Sequence, residues 1–468
     1  MTSSTHRLSA GTLARYAVGS LGTGGFATLP GLVLVYYLTD TLGVAAAAAG
    51  AIVAAAKIAD ILIDPVLGVL SDGDAARRGS RMRFMVLGAL SLPVFFTVTF
   101  AVPGSVGAVA AAVWVTVAFV LSAVSFSLFQ VPYIALPAEL TPRYDERTRL
   151  LTVRVAVLAL GILAFGAGGP ALRGIADSPT TGYLLMALVC GVVIGASMLV
   201  ASTTARQAQP VVHHLATEGE VGGITNGDIT SGGITNSYRH GLAVLRRSPA
   251  LRMLLGAFLI QGLATGLMLA GAQYIATWVL DSEGAVSVLF AALIGPALIC
   301  TPLWGRMAHR IGKERGFAGA TVVFAVAAAS LIGLRWGHGW WVYGAIGLAG
   351  AAYAGMQSLP MAMLPDVITT DQRRHHTSSA GVIGGVWTAG ETTGMALGAV
   401  VFTAILTIGG YLSAAQSVTE QPASALTAMV VGFSLVPAAL ALLSLLFIAR
   451  YPLRRRDIDA LIEPEGMR

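Results

Sequence analysis

Lys57, Asp60 and Asp64 lie inside an otherwise apolar stretch, KIADILIDPVLGVLSD at 57–72, and are the residues best placed to do chemistry. Four residues separate the two acids, so a helix presents both carboxylates on one face. Carboxylates that close repel when both are ionised. The pair gains stability by capturing Na+ or by keeping a proton on one member. Lys57, three residues before Asp60, is placed either to balance that charge or to pair with Asp60 and fix helix packing. Arg154 is another cation in an apolar run. Its planar fork of five donors suits hydroxyls, carboxylates or phosphates, or an internal bridge to Asp60 or Asp64. Trp387 and Glu391 stand one turn apart, a stacking surface beside an acid that can bridge to Arg154 or Lys57 or hold a second proton. Gln130, Tyr133, Gln273, Tyr274 and Gln357 offer neutral hydrogen bonds, or are satisfied by packing.

A second set of charges follows. Gly68-x-x-x-Asp72 precedes Asp74, Arg77, Arg78, Arg81 and Arg83, which read as a polar loop after the helix. Gly68 permits close helix contact, and Asp72 can accept from a helix N-terminus or pair with an arginine. Gly305, Arg310, Gly312 and Lys313 echo the pattern in part. Glu139 lies near Arg143 and Arg147, and Asp366 near Arg373 and Arg374. These groups read as gates or caps, effective as clusters rather than as single exposed bridges.

The elements that must position these residues belong to a membrane. The 468 residues are 55% hydrophobic and only 11% charged, with a mean hydropathy of +0.75, whereas a soluble domain is about a quarter charged. A charged group on a helix crossing a bilayer costs several kcal/mol unless partnered or hydrated, so the acids of 57–72 are a functional site by default. The net charge of +6 calls for no nucleic-acid partner, because basic loops set membrane orientation. Cys190 and Cys300 both fall in apolar runs, which argues against a disulfide or metal framework.

Twelve runs are long enough to cross the hydrocarbon core: 14–38, 44–70, 84–102, 107–138, 150–170, 181–203, 251–280, 284–303, 316–334, 340–364, 379–408 and 424–449. The first is too long for a signal-peptide core and reads as a retained helix. Of the 29 Lys and Arg, 25 fall on the side of the two tails, which puts both termini in the cytoplasm. The expected organisation is an N-terminal six-helix bundle (1–203), a cytoplasmic linker (204–248), a C-terminal six-helix bundle (249–450) and a cytoplasmic tail (451–468). The linker repeats GGITN at 222–226 and 232–236 and reads as flexible. His213 and His214 within it lack the further ligands that a metal site needs.

The halves repeat weakly. DPVLGVLSD at 64–72 matches TPLWGRMAH at 301–309, and QVPYIALPAEL at 130–140 matches QSLPMAMLPDV at 357–367, pairing Gln130 and Glu139 with Gln357 and Asp366. Six plus six helices in parallel repeats describe a transporter with its solute site near mid-membrane, between the halves.

The Gly68–Arg83 pattern resembles the loop signature of the major facilitator superfamily. KIADILIDPVLGVLSD, VPYIALPAELTPRYDERTRLLTVR at 131–154 and YPLRRRDIDALI at 451–462 are similar to the glycoside–pentoside–hexuronide:cation symporters, the melibiose permease-like family. That resemblance implies a cation site at Asp60 and Asp64, with Lys57 as a basic position and Ser127 as a hydroxyl on helix four, and a solute contact at Arg154. It implies Gly68, Asp72, Arg77, Arg78 and Arg81 as gating residues. Sodium users of the family often carry a side-chain oxygen before the second acid, where this chain has Ile63. Na+ needs several oxygens and a proton one acceptor, which favours H+. Gly24 and Gln130 replace acids of the sugar carriers, and the glycine-rich helix one serves either close packing or a wide, smooth cavity.

The expected protein is an all-α polytopic transporter of twelve transmembrane helices in two bundles. It is a symporter driven by H+ in preference to Na+, moving a glycoside or other small polar solute by alternating access. Rival readings are a lysolipid or amphiphile symporter and a proton-coupled exporter. No G-x-x-x-x-G-K-[ST] stretch or enzyme domain occurs, and no organic cofactor is expected. The expected setting is a bacterial inner membrane, with the lipid bilayer as partner and the monomer as functional unit.

Overall fold

The computed structural model describes residues 8–141, 144–207, 243–375, 380–413 and 420–453. Helices make up its regular structure, and among the described residues there is no strand. The chain divides into two compact units, Met1–Thr225 with Ser413–Ser417, and Asn226–Leu412 with Val418–Arg468.

The first unit contains α1 (Ala10–Tyr36), α2 (Ala46–Arg78), α3 (Met82–Thr99), α4 (Ala108–Leu140), α5 (Tyr144–Arg173) and α6 (Pro179–Ser202). The second contains α7 (Pro249–Trp278), α8 (Ala285–Ile311), α9 (Lys313–Ser330), α10 (Trp341–His375), α11 (Ala380–Ile408), α12 (Ala423–Phe433) and α13 (Leu435–Ala449). Among the described residues ten stretches are helical, long and apolar enough to cross a membrane, with α12 and α13 forming one of them, Ala423–Ala449. Helices α10 and α11, 35 and 29 residues long, fall outside that set. Helix starts follow local chemistry. Ser9, Ser178 and Ser248 accept from the backbone N–H three residues on, and Pro179 and Pro249 occupy the first helical position, where no N–H is needed.

Exposed apolar side chains recur every four residues on α2 (Ile58, Leu62, Val66, Leu70) and on α4 (Val109, Val113, Val117, Leu121). Only an apolar medium makes such faces favourable, and these are the surfaces that meet acyl chains.

Within the first unit α1 packs against α5 and α6, α3 against α4 and α6, and α2 against α4. Within the second, α7 packs against α11 and α13, α9 against α10 and α13, and α8 against α10. The two units therefore share one packing order, the structural form of the weak sequence repeat.

Two boundaries differ from expectation. Helix α2 continues through Arg78, so Asp72, Asp74, Arg77 and Arg78 are helical rather than in a loop. Arg78 pairs with Asp74 one turn back at 2.9 Å, two arginines face the negative end of the helix dipole, and Gly79 closes the helix at φ 71°. The ends of the expected linker are likewise structured. Thr203–Arg206 forms a 3-10 turn tied down by Ser80 Oγ donating to the Ala205 carbonyl (2.9 Å) and Thr12 Oγ1 donating to Gln207 (2.8 Å). Arg247 grips Asp371 with two hydrogen bonds, 2.7 and 3.2 Å. His213, His214 and the GGITN repeats lie outside the described residues.

Candidate functional site

On α2 the acids occupy the face opposite the exposed stripe: two residues beyond Ile58 and Leu62 is about 200° around the helix. Lys57 Nζ donates to Asp60 Oδ2 at 2.8 Å, and both side chains are mostly buried, 24% and 18% exposed. Asp60 Oδ1 and Asp64 Oδ1 are buried with no hydrogen-bond partner among the described residues. The Ser127 hydroxyl on α4 hydrogen-bonds Asp64, while Asp60 and Lys57 are near enough to act on Asp64 electrostatically. One turn further along the same two helices Gly68 faces Val131, so α2 and α4 run in register at this seam. A Cβ on Gly68 would stand 3.8 Å from Val131, ordinary contact. Packing therefore does not require glycine there, contrary to the sequence reading.

Gln130, one turn along α4 from Ser127, buries an Oε1 with no partner among the described residues. Just beyond it, Tyr133 leads to a second cluster. Tyr133 is fully buried and stacked between Tyr16 and Phe129, with ring centroids at 4.6 and 5.0 Å. Its hydroxyl hydrogen-bonds Ser20 Oγ (2.8 Å) and donates to the Tyr16 carbonyl (2.8 Å). The Arg154 guanidinium from α5 lies over its ring, 5.2 Å from the centroid, and Arg154 Nε is buried without an acceptor among the described residues. Of the two roles open to Arg154, a bridge to Asp60 or Asp64 is not formed, since no such ion pair occurs among the described residues. Tyr133 is thus a platform beneath Arg154 rather than a surface facing a cavity. Tyr16 and Ser20 escaped the sequence reading, since a tyrosine and a serine one turn apart on an apolar helix are common packing residues.

Glycines set the position of Arg154. A Cβ on Gly24 would lie 2.8 Å from the Leu158 carbonyl oxygen, and one on Gly161 2.9 Å from that of Leu21. Helix one's glycines therefore serve close packing. In the second unit Gly266 presses on Met395, and a Cβ on Gly398 would stand 2.6 Å from the Leu263 carbonyl oxygen. Gly161 and Gly398 are equivalent, so Arg154 and Glu391, each seven residues earlier, hold the same register position in the two units. The side chain of Glu391 is outside the described residues. Trp387 is buried against Phe258, ring centroids 4.3 Å apart, with its Nε1 unpartnered among the described residues. Gln273 donates to Thr277 at 3.1 Å, and Gln357 is half-buried on α10. Tyr274 is fully buried against Phe402 and Tyr411, which makes it a packing residue rather than a solute contact.

Two of the gate residues have partners far along the chain. Arg81 donates to Glu139 at 2.7 Å, with side chains only 8% and 5% exposed, and also to Ser71 Oγ at 3.1 Å. Lys313 pairs with Asp366 at 2.6 Å and donates to the Ala362 carbonyl at 2.9 Å. Each unit thus ties the start of its third helix to the end of its fourth. Arg77 is exposed, and the side chains of Asp72, Arg143, Arg147, Arg373 and Arg374 lie outside the described residues. Buried Tyr451 stands near Asp366 and Glu314, and burial pushes its phenol above the usual range.

The chemistry of the first unit is specific. Oxygens lacking donors beside a hydroxyl suit a small cation or a proton, and an arginine N–H lacking an acceptor suits a solute oxygen. At the matching places the second unit has Thr301 for Asp64 and Ala297 for Asp60, so the acid pair has no counterpart there.

The family model for MFS/sugar transport proteins matches residues 15–455. The chain is 24% identical to an uncharacterized symporter of Synechocystis sp., over 94% of this chain and 93% of that one. It is 23% identical to the glucuronide carrier protein homolog of Escherichia coli, over 97% and 95%. The solved structure of a D-xylose–proton symporter matches with a TM-score of 0.68 at 14% identity, over 95% of this chain and 98% of that one, a likeness of fold.

Proposed function

Because the chain belongs to the MFS/sugar transport protein family, and is accordingly a membrane transporter and not an enzyme, we propose that it is a cation-coupled symporter working by alternating access. The observation that carries this reading is the pair of unpartnered carboxylate oxygens on α2, held beside Ser127 and opposite the exposed apolar face. Lys57, Asp60 and Asp64 together carry one net negative charge, which matches a single monovalent cation. With Lys57 occupying Asp60, Asp64 is the acceptor of that cation. Ile63, immediately before it, adds no side-chain oxygen, which supports H+ in preference to Na+. The solute is a glycoside or another small polar molecule, a class supported by relatives named for glucuronide and isoprimeverose, and Arg154 Nε donates to one of its oxygens.

Coupling follows from charge. The empty acid pair resists burial, and cation binding removes that cost, so a carrier that has taken solute without its cation does not reorient. Both termini face the cytoplasm on the strength of the Lys and Arg distribution. The test is uptake into proteoliposomes under imposed proton or sodium gradients, scanning glucuronides and pentose glycosides. Accumulation driven by the proton gradient is the expected result. Uptake indifferent to both gradients would reject the symporter, and dependence on Na+ alone would reject the choice of ion.

A further inference from the structure

The turn between α9 and α10 carries residues that the cation and solute sites do not use. Three of the seven tryptophans, Trp336, Trp340 and Trp341, fall within six residues there. They are 80%, 85% and 42% exposed, and none of their indole N–H groups has an acceptor among the described residues. Arg335 beside them is exposed and has no ion pair among the described residues. We propose that this turn is an interfacial anchor, with the three rings among the glycerol and carbonyl groups of the bilayer and Arg335 paired with a phospholipid phosphate.

Charge singles out Arg335. Outside the twelve apolar runs, only Arg173 and Arg335 lie on the side away from the two tails, where basic residues are sparse in membrane proteins. Arg173 is accounted for inside the first unit, buried and donating to the Tyr183 hydroxyl at 2.9 Å. Arg335 is not, and no Asp or Glu occurs between Glu314 and Asp366 to balance it. It ends the 3-10 turn Leu331–Arg335, where the helix dipole favours a cation. That accounts for the charge and not for the rings.

Position selects the bilayer surface as the partner. From Lys313 to Arg335 the helix and its 3-10 end, 18 and 5 residues long, rise about 37 Å. The hydrocarbon core is ~30 Å thick and the whole bilayer roughly 40–45 Å, so the two cations bracket the core and each falls at headgroup depth. The exposed apolar faces between them lead to the rings. Val322 and Val326 are exposed on α9, while Trp341 and Leu348, two turns apart, share an exposed face of α10. Indoles favour the zone where such faces end, with the ring out of bulk water and the N–H on a polar oxygen. The turn is also braced. A Cβ on Gly333 would stand 3.0 Å from the Trp341 ring, and the rings of Trp340 and Tyr343 lie 5.7 Å apart. The anchor is independent of which solute or ion the protein carries.

The test uses the full-length chain in phosphatidylcholine vesicles. Emission lost on replacing Trp336, Trp340 and Trp341 together by Phe isolates the fluorescence of the turn. Phosphatidylcholine brominated near the carbonyl end of its chains should quench that emission more than lipid brominated near the methyl end, and iodide on both sides should quench it little. In equimolar mixtures, brominated phosphatidylglycerol should be favoured over brominated phosphatidylcholine about fivefold, the effect of one basic residue at an anionic surface. Arg335→Gln should bring that ratio to one. Iodide quenching without lipid quenching overturns the proposal, because the turn then stands in water, open to a soluble partner. So does protection from both quenchers with cross-linking of two copies through the turn, or a preference for phosphatidylglycerol that survives in Arg335→Gln. If the triple variant does not fold, Trp336→Phe with Trp340→Phe, at the two most exposed rings, supplies the same difference.

Discussion

Replacing Asp64 with asparagine should uncouple this carrier without unfolding it. Lys57, Asp60 and Asp64 contribute charges of +1, −1 and −1, and the contact at 2.8 Å commits Lys57 to Asp60. One cation neutralises the remainder, which sets one cation per solute. A tenfold cation gradient then stores about 1.4 kcal/mol, enough to accumulate a neutral solute about tenfold at zero membrane potential. In Asp64→Asn the site is already neutral with Lys57 still on Asp60, so the gradient does no work. Accumulation falls to equality of inside and outside, while solute counterflow continues. Lys57→Gln moves the stoichiometry the other way. It leaves two acids about 6 Å apart whose repulsion, at an effective dielectric of about 20, is on the order of 3 kcal/mol. Relief of that strain recruits a second cation, and the ceiling rises to about a hundredfold. The assay is accumulation in potential-clamped proteoliposomes of whichever labelled solute the scan identifies. Tenfold accumulation by Asp64→Asn, or no change of slope in Lys57→Gln, refutes the reasoning.

Four further outcomes follow from the packing. Glu139→Leu removes the 2.7 Å ion pair of buried Arg81 and should destabilise the protein by about 3–5 kcal/mol, whereas Arg81→Met with Glu139→Leu recovers most of it; unfolding temperatures of the three proteins check this. Gly24→Val should fold poorly, since its Cβ meets the Leu158 carbonyl at 2.8 Å, while Gly68→Ala should gain roughly 0.5–1 kcal/mol from helix propensity; monodisperse yield and unfolding temperature separate them. Tyr133→Phe removes the hydroxyl contacts but keeps the ring under Arg154, so solute affinity should fall less than in Tyr133→Leu, read as KM against Vmax of uptake. Tyr451 carries a buried hydroxyl without a partner among the described residues, so Tyr451→Phe should raise stability by about 1 kcal/mol. Its folded-state phenol is raised above that of the unfolded chain. Stability is therefore present below the unfolded value and lost as pH rises past it, and Tyr451→Phe should flatten that alkaline loss in pH-dependent unfolding.

The residues of chemical interest were legible because a charge in an apolar run stands out against its own neighbours. Asp60 and Asp64 on one face, with Lys57 one turn away, follow from helical periodicity, and so does the apolar stripe of Ile58 and Leu62 opposite them. Ser127 is different. Its hydroxyl is one of many on apolar helices, and only the in-register seam of α2 and α4 brings it to Asp64. Arg154 was visible, but the ring beneath it belongs to α4, and the Ser20 hydroxyl and Tyr16 carbonyl that tether that ring belong to α1.

Arg81 reaches Glu139 across 58 residues and Lys313 reaches Asp366 across 53, while nearer arginines suggested other pairings. The same contrast governs the glycines. In the linear chain Gly24 and Gly68 look alike, yet Gly24 lies against the backbone of α5 and Gly68 has room for a methyl group. Spans, their order and the intramembrane acids are written locally, because transfer into lipid scores each helix on its own apolarity and hydrogen-bonded backbone. Which side chains then meet depends on how helices approach one another. That approach is set by close packing between distant segments, which no local stretch of chain contains.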